Sequence, residues 1–107
     1  MELVTVCRPE DVPEGEARRF EVDGQEIAVV NLGEDGFRAV GDICSHAHSH
    51  LHEGEVDADF ATIECAKHGS TFDLDTGKPR SLPATMPVPM YNVKVEGDEV
   101  KVEIPDG

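Results

Sequence analysis

The sequence lacks tryptophan and has few other aromatic residues. Of its 107 residues, one is tyrosine and four are phenylalanine. The core that such a chain can build is therefore thin, and a bound metal could supply part of its stability. The length predicts a single domain over residues 1–107.

Positive charge is also scarce. The sequence has nine Lys and Arg residues and 23 Asp and Glu residues, which gives a formal net charge of −14. This negative charge would repel phosphates, so we do not expect nucleic acid or anionic membranes as partners. A basic protein surface is a compatible partner, although the acidity is equally explained by a need for solubility.

The sequence has no apolar run of membrane-spanning length and no basic, then apolar, segment at its start. We therefore expect a cytoplasmic protein. The three cysteines, Cys7, Cys44 and Cys65, are an odd number. In the cytoplasm, this count argues against a disulfide framework and favours metal or redox chemistry.

Short β-branched or alternating segments separated by turns predict an all-β frame. Asp23-Gly24 and Gly97-Asp98 lie between such segments and predict two hairpins. We expect at most one helical turn, at residues 12–17. The alternating segments YNVKVEG, which begins at Tyr91, and DEVKVEIP are the expected arms of the second hairpin. Residues 41–59 and 78–89 do not read as strands, and the second segment has four prolines. The expected fold is an antiparallel β-sandwich or barrel into which functional loops are inserted.

Four of the five histidines occupy alternate positions of one short segment, CSHAHSHLHEGEV, which begins at Cys44. They are His46, His48, His50 and His52. This spacing alone would suggest a zinc or nickel site on one strand face. The Gly, Ser and Glu residues around them do not favour a strand, however, and histidines in loops are often simply exposed to solvent.

Two short patterns each combine one cysteine with one histidine. The first is CSH at residues 44–46, and the second is CAKH at residues 65–68, with 18 residues between them. Two thiolates and two imidazoles can hold a tetrahedral zinc ion. They can also hold a [2Fe–2S] cluster that has both cysteines on one iron and both histidines on the other. The patterns by themselves leave both possibilities open.

The second pattern continues as CAKHGSTFDLDTGKP and, together with CSH, resembles the Rieske family. That family has C-x-H followed by C-x-x-H-G, a tail rich in Ser and Gly, and a proline-rich third loop. The resemblance covers nearly the whole chain and implies a cluster-binding subdomain inserted in the β frame. It implies that Cys44 and Cys65 bind the inner iron of one [2Fe–2S] cluster, while His46 and His68 bind the outer iron.

The remaining histidines, His48, His50 and His52, match no ligand position of the family. We expect them to be solvated loop residues that the cluster does not need. A weak accessory metal site is the alternative interpretation.

The resemblance also implies a low reduction potential. High-potential members of the family carry a disulfide between the two loops and a Ser and a Tyr that donate hydrogen bonds to the cluster. Here neither loop has a second cysteine, and Phe72 stands where the tyrosine would be, although Ser70 is present. The expected potential is at the low end of the Rieske range, toward roughly −150 mV. Phe72 could also simply fill the core, and Ser70 could simply stabilise a turn.

The resemblance implies electron transfer and not catalysis, because protein and sulfide fill every position on both irons. Small low-potential Rieske proteins resemble the ferredoxin components of ring-hydroxylating oxygenases, which pass electrons from a flavoprotein reductase to a terminal oxygenase. A second interpretation is an accessory redox or maturation protein of Suf-type iron–sulfur assembly, which the acidic segment HEGEVDADFATIE favours. A zinc-binding structural module is the third. We expect a monomer.

Overall fold

The computed structural model describes residues 2–22, 24–43, 50–65, 69–80 and 87–104. Within them, ten strands follow one another in the order β1 (Glu2–Cys7), β2 (Ala17–Val22), β3 (Gln25–Asn31), β4 (Phe37–Gly41), β5 (Val56–Asp57), β6 (Thr62–Glu64), β7 (Thr71–Asp73), β8 (Met90–Tyr91), β9 (Val93–Glu96) and β10 (Glu99–Ile104). Three 3-10 turns, at Pro9–Asp11, Gly33–Asp35 and Leu51–Glu53, are the helical elements of the described residues. None of them has the length and apolarity of a membrane span.

The strands form three antiparallel sheets, which confirms the predicted all-β class. Their strand orders are β1-β10-β9, β2-β3-β4-β8 and β5-β6-β7. The second of these is the middle layer, because both faces of β3 are buried. Ile27 and Val29 of β3 pack with Val100 and Val102 of β10. The intervening Ala28 and Val30 belong to a second hydrophobic cluster, on the side of the small β5-β6-β7 sheet.

The two predicted hairpins are present. β2 and β3 pair in register from Ala17–Val30 to Val22–Gln25, and Gly24 in their turn has a φ of +80°. β9 and β10 pair from Val93–Val102 to Glu96–Glu99, and Gly97 has a φ of +58°. Both turns need a backbone conformation that glycine adopts without strain, which is why these dipeptides predicted the hairpins correctly.

One local expectation was wrong. Three 3-10 turns occur among the described residues, and none of them is at residues 12–17, where at most one helical turn was expected. The first begins at Pro9, because Pro9 supplies a preset first helical φ and the Asp11 carboxylate accepts a 2.9 Å hydrogen bond from Arg8 N–H. Within the segment YNVKVEG, the strand is interrupted at Asn92. β8 pairs with β4 of the middle sheet, whereas β9 pairs with β10 of the outer sheet, so the chain changes sheets there.

Candidate metal centre

Cys65 is the one expected cluster ligand that lies among the described residues; Cys44, His46 and His68 lie outside them. Cys65 directly follows β6 and has no exposed surface. It belongs to the same hydrophobic cluster as Ile63 and Phe72. The end of the short strand β6 therefore places this thiol in an apolar environment that excludes water.

A tight turn begins at Cys65. The N–H of Gly69 donates to the carbonyl of Cys65 at 2.8 Å, and the N–H of Cys65 donates to the carbonyl of Ser70 at 2.6 Å. Gly69 has a φ of +74°, and a Cβ placed on it would meet nothing within 4 Å. The left-handed backbone of the turn, and not crowding, is therefore what favours glycine here. The turn brackets residues 66–68, the rest of the CAKH pattern.

The ends of the first loop are also held together. Ile43 and His50 form an isolated antiparallel bridge. Beside it, the N–H of Leu51 donates to the carbonyl of Asp42 at 2.6 Å. Residues 44–49, which contain the CSH pattern, are thus bounded on both sides by paired backbone.

The side chain of Asp42 links the same two ends. Asp42 has no exposed surface. Its carboxylate accepts a hydrogen bond from the backbone N–H of His52 at 2.9 Å, and it lies 2.8 Å from Nδ1 of His50 and 2.9 Å from Nδ1 of His52. A buried carboxylate without such partners would carry a large desolvation cost. The two imidazoles therefore help to stabilise it.

This arrangement corrects one expectation. His50 and His52 are not simply solvated loop residues, because their side chains are only 35% and 26% exposed and both contact Asp42. His48 lies outside the described residues. Sequence reasoning also missed Asp42. The available signal was an acidic residue directly after the buried end of a strand, followed eight and ten residues later by two histidines.

All three predicted loops end on one core. Leu51 follows the first loop, Cys65 begins the second, and Val88 lies near the end of the proline-rich segment; all three are in one hydrophobic cluster. Val88 is fixed further by its N–H, which donates to the carbonyl of Gly77 at 2.8 Å. Phe72 of the same cluster is completely buried, which confirms its expected place in the core.

These features fit a [2Fe–2S] cluster. A buried thiol can supply a thiolate ligand to iron, and an apolar shell limits solvent access and tunes the potential of such a centre. The two bounded loops would provide the remaining ligands from residues 44–49 and 66–68. A mononuclear zinc module needs the same donors, so the donors alone do not choose between the two.

An acidic groove lies on the β5-β6-β7 sheet. Its walls include four acidic side chains, those of Glu55, Asp57, Asp59 and Glu64. Phe60, in the turn between β5 and β6, is 71% exposed. The groove on the small sheet is therefore negatively charged, and an exposed aromatic side chain lies in the neighbouring turn.

Comparison with known proteins identifies the family. Residues 2–92 match the model of the Rieske [2Fe-2S] domain. The 3-phenylpropionate/cinnamic acid dioxygenase ferredoxin subunit of Escherichia coli (strain K12) is 42% identical over 106 residues, which cover 99% of this chain and 97% of the relative.

Solved structures give the same result. The ferredoxin of carbazole 1,9a-dioxygenase from Nocardioides aromaticivorans IC177 has a TM-score of 0.89 and 37% identity, covering 95% of this chain and 97% of that one. The chain also matches a chain in the structure of the complex of reduced oxygenase and oxidized ferredoxin in carbazole 1,9a-dioxygenase. That match has a TM-score of 0.84 and 39% identity, and it covers 94% of this chain and 91% of that one. The chain therefore belongs to the Rieske [2Fe–2S] family, as a small ferredoxin with one [2Fe–2S] cluster.

Proposed function

We propose that this ferredoxin carries one electron at a time from a flavoprotein reductase to the terminal oxygenase of a ring-hydroxylating dioxygenase system. Relatives that are named as ferredoxins of dioxygenases match almost the full length of the chain. The proposal treats residues 1–107 as one Rieske domain that acts as a cytoplasmic monomer.

The structural observation that supports the proposal is the convergence of three loop ends on one core. Leu51, Cys65 and Val88 belong to one hydrophobic cluster. We propose that Cys44 and Cys65 bind the inner iron and that His46 and His68 bind the outer iron. The cluster supplies a one-electron redox centre, and the chain holds its ligands and excludes water from the cysteine side.

Rigid loop ends favour electron transfer because they limit the movement of the cluster ligands. A centre that accepts and donates an electron without moving its ligands needs little reorganisation, and packed side chains resist such movement. Here the hydrogen bonds of Asp42 hold the two ends of the first loop together, and the turn from Cys65 to Ser70 does the same for the second loop. The outer histidines would then be the point nearest a partner.

The acidic groove suggests the chemistry of that partner. Glu55, Asp57 and Asp59 line the groove, and the exposed Phe60 directly follows Asp59 in the chain. Acidic patches accelerate encounter with basic surfaces, whereas a buried aromatic contact adds affinity. A terminal oxygenase and a reductase with basic docking surfaces fit this face.

The decisive experiment is electron transfer with purified partners. The protein, loaded with its cluster, is reduced by the flavoprotein reductase encoded with it, and its reoxidation by the terminal oxygenase is followed at visible wavelengths. Rapid reoxidation, with product formation that depends on the ferredoxin, is expected. Reoxidation only by Suf assembly proteins would replace the proposal with the maturation role.

A metal and sulfide assay tests the ligand set separately. Iron and labile sulfide should be present in equal amounts, and Cys65→Ser should lose the visible spectrum. Stoichiometric zinc without labile sulfide would instead establish the zinc module.

A further inference from the structure

We propose that Asp42, His50 and His52 form a second metal site, which binds a divalent ion of the zinc type and is separate from the cluster ligands. One carboxylate and two imidazoles are brought together at the base of the first loop. One ligand atom from each of the three residues lies within 4.8 Å of the others. Two imidazoles and one carboxylate are a common ligand set for zinc in proteins.

The hydrogen-bonded geometry is close to that of a metal site. Nδ1 of His50 is 2.8 Å from Oδ2 of Asp42, and Nδ1 of His52 is 2.9 Å from both carboxylate oxygens. Zinc bonds of about 2.0–2.1 Å at tetrahedral angles would separate the donor atoms by about 3.3 Å. Each imidazole nitrogen therefore needs to move away from the carboxylate by only about half an ångström or less.

The surroundings permit that movement. Asp42 is buried and fixed by its backbone contact with Leu51, but the imidazoles of His50 and His52 are about one-third and one-quarter exposed. The two ring centroids are 5.5 Å apart, and the rings are tilted by 53°. The rings can pivot at the surface, an ion can reach them from solvent, and water can complete the coordination.

Charge also favours a cation. Nδ1 of each ring lies against the carboxylate of Asp42, so a divalent ion held between these atoms would meet a buried negative charge. Arg19 is the nearest opposing cation, with Nε 3.9 Å from Asp42. Its guanidinium is held by Glu26, to which Nε donates at 2.9 Å. In the part of the chain that the structure describes, the charged groups recorded beside the rings are the carboxylates of Asp42 and Glu26 and the guanidinium of Arg19.

Glu26 is the closest additional oxygen donor. Its Oε1 is 4.0 Å from Nδ1 of His50. It is only partly exposed and lies on β3, the strand beside β2, which carries Arg19. A fourth ligand from Glu26 or from water would complete a tetrahedral zinc site.

The test uses protein that carries its cluster and no histidine tag. The sample is dialysed against Zn²⁺, and zinc, iron and the visible spectrum are measured after loosely held ion is removed. About one zinc per chain is expected, with the iron content and spectrum unchanged. X-ray absorption at the zinc edge should show nitrogen and oxygen ligands, with no sulfur ligand at about 2.3 Å.

Two variants make the assignment specific. His50→Gln/His52→Gln should lose stoichiometric zinc, because glutamine amides can still donate to Asp42 but bind zinc poorly. Glu53→Gln, at an exposed acid next to His52, is the matched control and should keep it. Thermal unfolding and the cluster spectrum report whether the double variant is folded.

Three outcomes would overturn the proposal. They are zinc in the double variant equal to that in the wild type, sulfur ligands at the zinc edge, and zinc uptake only in step with iron loss. The last two would show that zinc had entered the cluster site. None of them would affect the assignment of electron transfer, which the reoxidation experiment tests independently.

Discussion

Nδ1 of His52 lies 2.9 Å from both carboxylate oxygens of Asp42, and the backbone N–H of His52 donates to one of them at 2.9 Å. This double attachment joins residues ten positions apart across the first loop. Since residues 44–49 contain two of the proposed iron ligands, the contact sets the span that the loop must bridge. The strength of this contact can be measured as a change in the free energy of unfolding, and the visible spectrum reports separately whether the cluster is present.

We expect His52→Ala to lower the free energy of unfolding by about 1–3 kcal/mol, because it removes a partner of a buried carboxylate. The measurement is thermal unfolding of the cluster-loaded protein at one scan rate, with His48→Ala as the control that should leave Tm unchanged. The visible spectrum should persist in the triple variant His48→Ala/His50→Ala/His52→Ala, because none of the three is a proposed ligand of the [2Fe–2S] cluster. Loss of colour in that variant would show that the ligand assignment is wrong.

We expect Gly77→Ala to destabilise the fold more than Gly24→Ala. Both glycines have a φ near +80°, but a Cβ at Gly24 meets nothing within 4 Å, whereas one at Gly77 collides with the carbonyl oxygen of Val88. Backbone strain alone costs about 1–2 kcal/mol, and the collision adds about 1–3 kcal/mol at Gly77.

Chemical or thermal unfolding of the two glycine variants gives the comparison. Equal losses of stability would mean that the collision with Val88 is relieved without cost. The cluster spectrum should also change in Gly77→Ala, because Val88 belongs to the same hydrophobic cluster as the proposed ligand Cys65.

We expect Phe72→Tyr to raise the reduction potential. Phe72 is completely buried in the hydrophobic cluster that contains Cys65. A tyrosine hydroxyl that donates to a ligand sulfur stabilises the reduced state, since added negative charge strengthens that hydrogen bond. Protein-film voltammetry measures the potential, and Phe72→Leu controls for altered packing. A wild-type potential well above zero would contradict the predicted low-potential class.

We expect Cys7 to react slowly with iodoacetamide at neutral pH. Burial raises its pKa from 9.0 to about 11, and the charge of Asp11 contributes in the same direction. The thiolate is the reactive form, so the rate measured by peptide mass spectrometry should rise about tenfold per pH unit from pH 7 to pH 10. Asp11→Asn should lower the pKa and speed the reaction.

The same shift has a consequence for stability. The folded state holds the proton of Cys7 more tightly than the unfolded state does, so Cys7 contributes stability that is fully present below pH 9. That contribution decreases as the pH rises through about 11. Cys7→Ser should reduce the alkaline loss of stability. An identical pH profile in the variant would exclude the contribution.

We expect the acidic segment to speed docking through long-range attraction. Neutralising Glu53, Glu55, Asp57 and Asp59 should lower the second-order rate of electron transfer to a basic partner surface, with little effect on the potential. The rate should also fall with ionic strength, because the screening length is about 8 Å at physiological salt. Stopped-flow mixing across a salt series measures both effects.

The matched control neutralises two acids on the outer sheet, Glu96 and Glu99. That sheet packs on the opposite face of the middle sheet, so the control should leave the rate and its salt dependence unchanged. A rate that is flat with salt, or equal effects in both variants, would show that the acidic segment does not guide docking.

The sequence by itself determined the β frame and the family. The Asp23-Gly24 and Gly97-Asp98 turns predict their hairpins because the required backbone is a local property of two residues. The run from Ile27 to Val30 is apolar on both sides of a strand, as a strand between two cores must be. The cysteine and histidine patterns identified the Rieske domain because ligand spacing within a loop is also local.

The tertiary structure alone decided which residues support the loops. Asp42 meets His50 and His52 only because the Ile43–His50 bridge folds the chain back on itself, which neither residue's local preference reveals. The break at Asn92 likewise follows from pairing with two different sheets. Long-range pairing and burial chose these contacts, since a buried carboxylate must find donors wherever the fold brings them.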